Sequence, residues 1–598
     1  MEKKYLHYAN NLKRFAELDN IVFDSNDSKE FVLETLHNIS FEKRKIYDEN
    51  TQIINEYIVA REQKEDLSDE DVQMLKEFAE SLKLRFGSLD NSIYFRIHKL
   101  LLKNALKGND LNKIIEEKYY CGYCEYVLES SKPGVRNLSY FRNVGEYIDQ
   151  YDLLTVEGKN YFLRAYGNQL LDNDFIYERS KRILEFIMDK KEKEPCADIP
   201  YDRYILSVQR NISGALAYFR SCRDHMEDIP EAYLKLVYDA AVYSLDNIQN
   251  MKQTSLVSAV LYKYTYYAAC FHYGKITIEE LLAHLDELSK PKEDYNLIER
   301  ASSIIKMTAY YIDYYRNYTS LSEDDLIEEL QSRVQNVLDF VGSISTSDFT
   351  DALNEELISF LKVASNVFPF EKIKDLIFKV LVVRNRSTFI HVNMVKSICN
   401  ILGKDLLNKN PEFFIGCLDY KNKRDVLLHK EDILRTLEEM AMFHDVGKHF
   451  YIKYIALSYR KIDDNEFEII KLHSSIGYQT LAKGKYPDTI GEAILLHHVW
   501  HDGTRGYPEE HFSTKNQPLI DILSIADTLD AATDYVGRPY AMTKTCKDLI
   551  LEFENFRDTR YAKEVIDILK EEDTYQEVSN ALTKGREELA YKIWTNNF

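Results

Sequence analysis

The sequence predicts an all-α fold. The chain of 598 residues contains only 20 glycines and 11 prolines, and this scarcity of turn formers and helix breakers favours long helices with short connections. Ser68 with Asp71, and Ser322 with Asp325, form capping-box patterns that each precede an apolar stripe at helical spacing. We expect the second of these helices to end before Gly342. No segment before residue 340 alternates apolar and polar residues as strands do.

The N-terminal region reads as an array of amphipathic helices rich in Tyr and Leu. Residues 161–170 resemble one helix of a tetratricopeptide-type hairpin, although a clean period of about 34 residues is absent. Helical repeats supply extended binding surfaces, so a protein partner is an expectation for this region. The small and polar segment 342–348 predicts a linker. The predicted organisation is therefore a regulatory or interaction region at 1–342 and a second domain at 348–598.

Composition excludes several classes of protein. The net charge of -21 argues against a protein that coats nucleic acid. No apolar run is long enough to predict a membrane span, and the first residues contain no signal-peptide core, so we expect a cytoplasmic protein. Cys121 and Cys124 have CxxC spacing without a second pair, which indicates ordinary helix or turn cysteines.

Histidine usage changes abruptly along the chain. Six of the fifteen histidines precede residue 391, and nine lie between His391 and His511. Within this stretch, His444 and Asp445 follow an apolar helical segment. An imidazole can bind one metal ion while the two oxygens of a neighbouring carboxylate bridge two ions. Lys448, three residues further, is suited to neutralise a phosphate oxygen or assist a leaving group. Such a His-Asp pair also occurs by chance in many proteins, so the prediction of a two-metal hydrolytic site depends on the residues that accompany it.

Further nitrogen and oxygen ligands accompany this motif in a defined order. A helix predicted at 389–402 carries the first of them, and a Leu-His-Ser motif, a His-His doublet and an Ala-Asp-Thr motif follow the His-Asp pair. None is a soft thiolate, so the set suits iron, manganese or zinc. The candidate metal ligands are His391, His444, Asp445, His473, His497, His498 and Asp527.

With Gly506-Tyr507-Pro508 after the doublet, this order resembles the HD-GYP family of cyclic di-GMP phosphodiesterases, over about residues 380–560. The resemblance implies an all-α bundle with a buried metal centre, here of two divalent ions, most often iron or manganese. It implies that one ion is held by His391, His444, Asp445 and Asp527. It implies that Asp445 bridges to a second ion held by His473, His497 and His498.

The resemblance also implies roles in catalysis and substrate binding. Asp445 and Lys448 would be catalytic, and the expected substrate contacts are Lys448, Tyr507, Arg538 and Lys544. Lys544 enters as a substitute, because the basic residue usual three positions after Arg538 is absent.

The sequence departs from the family pattern in four places. Val499 stands where the family has Glu, and the loop at 502–508 is one residue longer. Two additional residues precede Arg538. Ser387 occupies the position at which some relatives hold a third ion through a carboxylate, which favours two ions. The charged stretch between His444 and His473, which includes Glu466, we interpret as a solvated loop.

Three functional hypotheses follow. The first is a metal-dependent phosphodiesterase that hydrolyses cyclic di-GMP to pGpG, GMP or both with a metal-activated water. The second is an HD phosphohydrolase that acts on another cyclic dinucleotide or phosphate ester, because the altered loops lie where substrate would bind. The third is a catalytically weak cyclic di-GMP sensor or scaffold that signals through the helical region.

Overall fold

The protein is described by a computed structural model, which confirms the all-α prediction. The only strands among the described residues are β1 (Lys83–Leu84) and β2 (Gly87–Ser88), a short antiparallel pair in which Lys83 lies opposite Ser88. No helix in this part of the chain combines the length and apolarity needed to cross a bilayer. The structure describes residues 3–84, 87–129, 137–171, 177–214, 229–248, 258–320, 322–344, 351–451, 459–481, 484–535 and 544–595.

The chain divides into two compact units. The first comprises Met1–Asn10, Ile53–Val337 and Asp351–Phe360. The second comprises Asn11–Gln52, Leu338–Thr350 and Leu361–Phe598. This division differs from the expected boundary, because Asn11–Gln52 belongs with the C-terminal unit. Phe15 and Ile46 of this segment are buried in an apolar cluster that includes Tyr459, which explains the assignment.

The helices in the N-terminal part of the chain follow one another with short connections. They are α1 (Tyr5–Asp19), α2 (Lys29–Ile54), α3 (Ala60–Glu62), α4 (Asp69–Leu82), α5 (Asn91–Lys107), α6 (Leu111–Glu129), α7 (Ser139–Val144), α8 (Val156–Asn168), α9 (Tyr177–Lys193), α10 (Tyr201–Ser213), α11 (Glu231–Asp246), α12 (Ala259–His272), α13 (Ile278–Leu288), α14 (Leu297–Ala301), α15 (Met307–Tyr318) and α16 (Glu323–Ser343).

The capping residues explain where two of these helices begin. The Ser68 hydroxyl accepts a hydrogen bond from the backbone N–H of Asp71 at 3.1 Å, and the Asp71 carboxylate accepts one from the Ser68 N–H. The Ser322 hydroxyl accepts from the Asp325 N–H at 3.2 Å. The prediction that α16 ends before Gly342 is wrong by two residues, because the helix continues to Ser343.

The first unit is built from helices that pack on their neighbours in sequence. α5 contacts α6, α6 contacts α8, α10 contacts α11 and α11 contacts α12. One apolar core rich in aromatic side chains runs from Ile115 to Tyr314. Cys121 and Cys124 are buried and free within α6, as expected of ordinary helix cysteines. This serial packing is consistent with a degenerate helical repeat.

The remaining helices, apart from the start of α17, belong to the second unit. They are α17 (Asp351–Val367), α18 (Phe370–Arg384), α19 (Arg386–Lys409), α20 (Lys423–Leu428), α21 (Lys430–Phe443), α22 (Asp464–Thr480), α23 (Asp488–Leu496), α24 (Gln517–Thr533), α25 (Cys546–Asn555), α26 (Lys563–Lys570), α27 (Glu572–Asn580) and α28 (Arg586–Trp594).

Helix α19 is the central element of this unit. It packs against α21 and α24, and its outer faces contact α18, α26 and α28. A 3-10 turn at Val446–Tyr451 lies against α22, and α23 packs on both α21 and α22. Helices α19, α23 and α24 thus pack on α21, and α22 packs on the turn that follows it. His444 and Asp445 lie at this junction.

Candidate metal centre

Local sequence places His444 and Asp445 inside the bundle. Leu437, Met440 and Ala441 are completely buried along one face of α21, so the helix ends in the core. The next two residues therefore enter the core as well, and their side chains are buried. Buried polar groups at such a position require partners.

Two glycines permit a close backbone approach that brings Asp445 and His473 together. A Cβ atom on Gly447 would lie 1.8 Å from the carbonyl oxygen of His473, and one on Gly477 would lie 2.9 Å from the Gly447 nitrogen. No larger residue fits at Gly447 without moving the backbone. The turn after α21 is thereby held against α22.

The first ligand cluster consists of His391, His444 and Asp445, whose ligand atoms all lie within 4.8 Å of one another. Nε2 of His391 is 3.3 Å and Nε2 of His444 is 3.5 Å from Asp445 Oδ2. Asp527 Oδ1 lies 3.1 Å from His391 Nε2. Both Nε2 atoms are buried and make no hydrogen bond. Converging buried atoms without hydrogen bonds are what a site for a cation requires.

The second cluster consists of His473, His497 and His498, again with ligand atoms within 4.8 Å. Nε2 of His473 lies 3.2 Å from Nε2 of His497. Asp445 Oδ1 is 3.5 Å from the first of these nitrogens and 3.8 Å from the second. Asp445 therefore directs one oxygen to each cluster, which is the placement that a bridging carboxylate needs.

Backbone carbonyls set the orientation of three imidazoles. In each, Nδ1 donates to a carbonyl of its own helix, which leaves Nε2 facing the centre with its lone pair available to a metal ion. The bonds run from His444 to Ala441 at 2.7 Å, from His473 to Ile470 at 2.7 Å and from His497 to Ala493 at 2.9 Å.

Burial keeps the histidines of the second cluster neutral. It lowers the pKa of His473 to about 4 and that of His497 to about 3, and it holds the pKa of His498 well below its ordinary value. Neutral imidazole is the form that binds metals. Burial by itself raises the pKa of Asp445, but the Lys448 ammonium and the neighbouring histidines hold it well below the usual range. The acid is therefore an anion at neutral pH.

His391 has a different environment. Burial lowers its pKa, but the neighbouring carboxylates of Asp445, Asp527 and Asp530 outweigh burial and raise the pKa to about 10. Asp530 Oδ2 accepts from Nδ1 at 2.7 Å. Asp530 is not among the residues predicted from the sequence. Its position three residues after Asp527 on α24 was a usable signal, since residues at that spacing share a helix face.

The residues predicted to contact substrate lie in different surroundings. Lys448 Nζ pairs with Asp445 Oδ2, and the Tyr507 ring lies 4.4 Å from the His498 ring. Gly506 has φ +100°, and its Cβ would lie 2.1 Å from the His498 carbonyl oxygen, so the loop folds closely onto the doublet. Lys544 instead pairs with Glu552 at 2.6 Å and is half exposed. Arg538 lies outside the described residues.

Two departures noted in the sequence are clarified by the structure. Ser387 is exposed at the start of α19. The interpretation of the 444–473 stretch as a solvated loop is wrong for Glu466, which is buried and forms a two-pronged ion pair with the buried guanidinium of Arg460, at 2.8 Å through Nη1. This pair anchors the start of α22, the helix that carries His473.

Comparisons with known proteins agree with the geometry. The HD domain family model matches residues 388–532, a range that contains every candidate metal ligand. A cyclic di-GMP phosphodiesterase of Thermotoga maritima is 30% identical over 140 residues, 23% of this chain and 37% of that protein. The cyclic di-GMP phosphodiesterase response regulator RpfG of Xanthomonas campestris pv. campestris is 30% identical over 112 residues, 18% of this chain and 29% of that protein.

This chain therefore spans only about a third of the length of these curated relatives. No solved structure matches it. The comparisons show an HD domain at residues 388–532 and support a metal-dependent phosphohydrolase.

Proposed function

We propose that this HD domain is a metal-dependent phosphodiesterase that hydrolyses cyclic di-GMP to pGpG, GMP or both. The observation that carries the proposal is the placement of Asp445, with Oδ2 facing His391 and His444 and Oδ1 facing His473 and His497. A carboxylate between two ligand sets can hold two ions close together, as two-metal hydrolysis of phosphate esters needs. The two relatives named as cyclic di-GMP phosphodiesterases support the substrate.

The donor set fits two divalent ions, of which iron and manganese are the ones we propose. Every donor is a nitrogen or oxygen, which suits these metals. When bound, the ions supply Lewis acidity that activates water and neutralises charge on the phosphoryl oxygens. In the proposed assignment one ion is held by His391, His444, Asp445 and Asp527. The second is held by Asp445, His473, His497 and His498.

The residues around this centre indicate where substrate approaches. The side chains of His498 and Asp527 are 22% and 12% exposed, whereas the other candidate ligands are almost completely buried. Among the described residues, this edge is therefore where the ligand set is open to a phosphodiester. The Tyr507 ring lies at the same edge, against His498, and offers an aromatic face to a nucleobase. The Lys448 ammonium, beside Asp445, is positioned to pair with a phosphate oxygen.

The decisive test is cyclic di-GMP hydrolysis by anaerobically purified, metal-analysed protein, with Asp445→Asn as the variant. Losing the bridging charge removes several kcal/mol of transition-state stabilisation, which corresponds to a loss of about 10³-fold in kcat or more. Asp432→Asn is a matched control, because Asp432 is an exposed acid in the first turn of α21. Hydrolysis that continues unchanged in Asp445→Asn contradicts the proposal.

A second candidate is hydrolysis of another cyclic dinucleotide or phosphate ester, because the loop after His498 departs from the family pattern at Val499 and at 502–508. Val499 is buried there, and the following residues bond to a separate segment, His501 N–H to Arg560 O at 3.2 Å and Asp502 N–H to Thr559 O at 3.0 Å. A substrate panel separates the candidates. Turnover of another cyclic dinucleotide with cyclic di-GMP left intact favours the second candidate, and tight binding of cyclic di-GMP without product favours a sensor.

A further inference from the structure

Helix α28 carries a buried arginine and lies outside residues 388–532, the range matched by the HD domain family model. Arg586 begins α28 and is 1% exposed. Its guanidinium donates to Asp530 Oδ1 at 2.6 Å, to the Thr533 carbonyl at 2.8 Å and to the Thr533 hydroxyl at 2.9 Å. All of these bonds come from the two Nη groups, whereas Nε is buried and makes no hydrogen bond.

These contacts connect Arg586 to the metal centre through one carboxylate. Asp530 uses Oδ1 for Arg586 and Oδ2 for His391 Nδ1, at 2.7 Å. On its opposite edge, His391 directs Nε2 to Asp445 and Asp527. A continuous chain therefore runs from Arg586 through Asp530 to a candidate metal ligand.

The Arg586 guanidinium restricts motion at the metal centre in two ways. A carboxylate held from one side cannot rotate away from the imidazole, so it fixes the ring plane of His391 and keeps the proton on Nδ1, which leaves Nε2 for a metal. Arg586 also caps the C-terminal end of α24 by donating to carbonyls of Asp530 and Thr533. Cations are stabilising at helix C-termini, and α24 is the helix that carries Asp527.

We infer that Arg586 is a positioning residue of the metal centre, which orients His391 through Asp530 and fixes Asp527 by capping α24. The inference rests on the proposed function, since it requires the two clusters to bind metal. His444, His473 and His497 are oriented by carbonyls of their own helices. Loss of Arg586 therefore acts on the His391 site and spares the site formed by His473, His497 and His498.

Contacts within the same unit brace the helix that carries Arg586. Lys29, at the start of α2, pairs with Glu588. The Tyr591 hydroxyl donates to the Asp27 carbonyl at 3.1 Å, and the rings of Phe23 and Trp594 lie 6.0 Å apart. The segment between α1 and α2, together with the start of α2, thus supports α28.

The test measures binding of MnCl₂ alone, by isothermal titration and by electron paramagnetic resonance of the bound ion. We expect wild-type protein to bind two ions per chain. Arg586→Met should weaken one of the two by about 10–100-fold, the range for groups that orient metal ligands, and leave the other unchanged. Arg586→Lys should fall between, because an ammonium reaches Asp530 but lacks the planar fork. Arg557→Met is the control, since Arg557 pairs with Asp567 at the surface.

A second variant keeps the test decisive if Arg586→Met does not fold. Asp530→Asn leaves the bonds from Arg586 to Thr533 possible but removes the charge that holds His391. It should weaken the same single site. Arg586→Met in that background should add only the effect of losing the cap on α24, because the orientation of His391 by Arg586 acts through Asp530. Circular dichroism and thermal unfolding in EDTA verify the fold.

The possible failures are distinguishable. Folded Arg586→Met or Asp530→Asn protein that binds both Mn²⁺ ions as tightly as wild type overturns this inference alone. Equal weakening of both sites also overturns it, because a general structural role would explain that result. Wild-type protein that binds neither Mn²⁺ nor Fe²⁺ overturns the proposed function together with the inference.

Discussion

The two units each bury a histidine paired with a carboxylate, and only one of these pairs belongs to a candidate metal centre. In the first unit, His98 Nδ1 lies 2.6 Å from Glu117 Oε2. In the second, His391 Nδ1 lies 2.7 Å from Asp530 Oδ2. Both residues of each pair are buried, and Nε2 of both histidines makes no hydrogen bond. The pairs are therefore alike in local chemistry.

The two pairs differ in the groups that surround the histidine ring and face its Nε2 atom. His98 packs between aromatic rings, with the centroids of Tyr94 and Tyr120 each 4.4 Å away. Within the described residues it joins no group that could hold a metal ion. His391 faces the carboxylates of Asp445 and Asp527, and His444 converges on the same point. A buried histidine–carboxylate pair is thus a packing feature until further ligands converge on it.

The strongest test of this comparison replaces each histidine with alanine. His391→Ala should lose one of two bound ions and about 10³-fold in cyclic di-GMP hydrolysis, since removal of a metal's contribution costs several kcal/mol. His98→Ala should retain both ions and full activity. Its cost is in stability, about 1–3 kcal/mol in the free energy of unfolding, because Glu117 is left buried without a partner. Metal analysis, turnover and urea unfolding of both variants check these outcomes, and metal loss in His98→Ala would refute the contrast.

A second test compares close packing in the two units. Gly447→Ala brings a Cβ within 1.8 Å of the His473 carbonyl, a backbone atom that cannot yield. Gly122→Ala meets the Phe141 ring at 2.4 Å, and a side chain can shift. Both should destabilise by about 1–3 kcal/mol, with Gly447→Ala at the upper end or beyond. Only Gly447→Ala should also weaken Mn²⁺ binding, because it separates Asp445 from His473. Equal Mn²⁺ affinity in the two variants would show that this approach does not position the ligands.

The smallest expected effect is on the pH dependence of stability, and it comes from a third histidine–carboxylate pair. His501 Nδ1 lies 2.9 Å from Asp521 Oδ2. The hydrogen bond to Asp521 raises the pKa of His501 against the lowering effect of burial, while burial raises the pKa of Asp521. A raised histidine pKa contributes stability that is complete below the unfolded value of about 6.5 and is lost as pH rises through the folded value.

The difference in melting temperature between wild type and His501→Gln should therefore be largest near pH 6 and shrink towards pH 9. His429→Gln, at an exposed histidine, is the control and should change little. A difference for His501→Gln that grows with pH would reverse the assigned direction.

Much of the fold could be predicted from the sequence because helix signals are local. The cap at Ser68 and the helix around His391 follow from residues within a few positions of each other. The helix around His391 proved longer than predicted, Arg386–Lys409 instead of 389–402, since tertiary packing extends helices beyond their local signals. The unit boundary was less predictable, because the membership of Asn11–Gln52 depends on contacts such as Asn50 to the Tyr459 carbonyl, 409 positions apart.

Composition, periodicity and motif order are properties of the chain alone, and they predict the all-α class, the candidate metal ligands and the order of these ligands along the chain. The tertiary structure decided which oxygen of Asp445 faces which cluster, that Glu466 is buried with Arg460, and that Lys544 pairs with Glu552. It also brings Arg586 into contact with Asp530, 56 residues away in the chain. The physical reason is that a metal site and its supporting charges depend on distances of a few ångströms between distant segments, and packing of the whole bundle sets those distances.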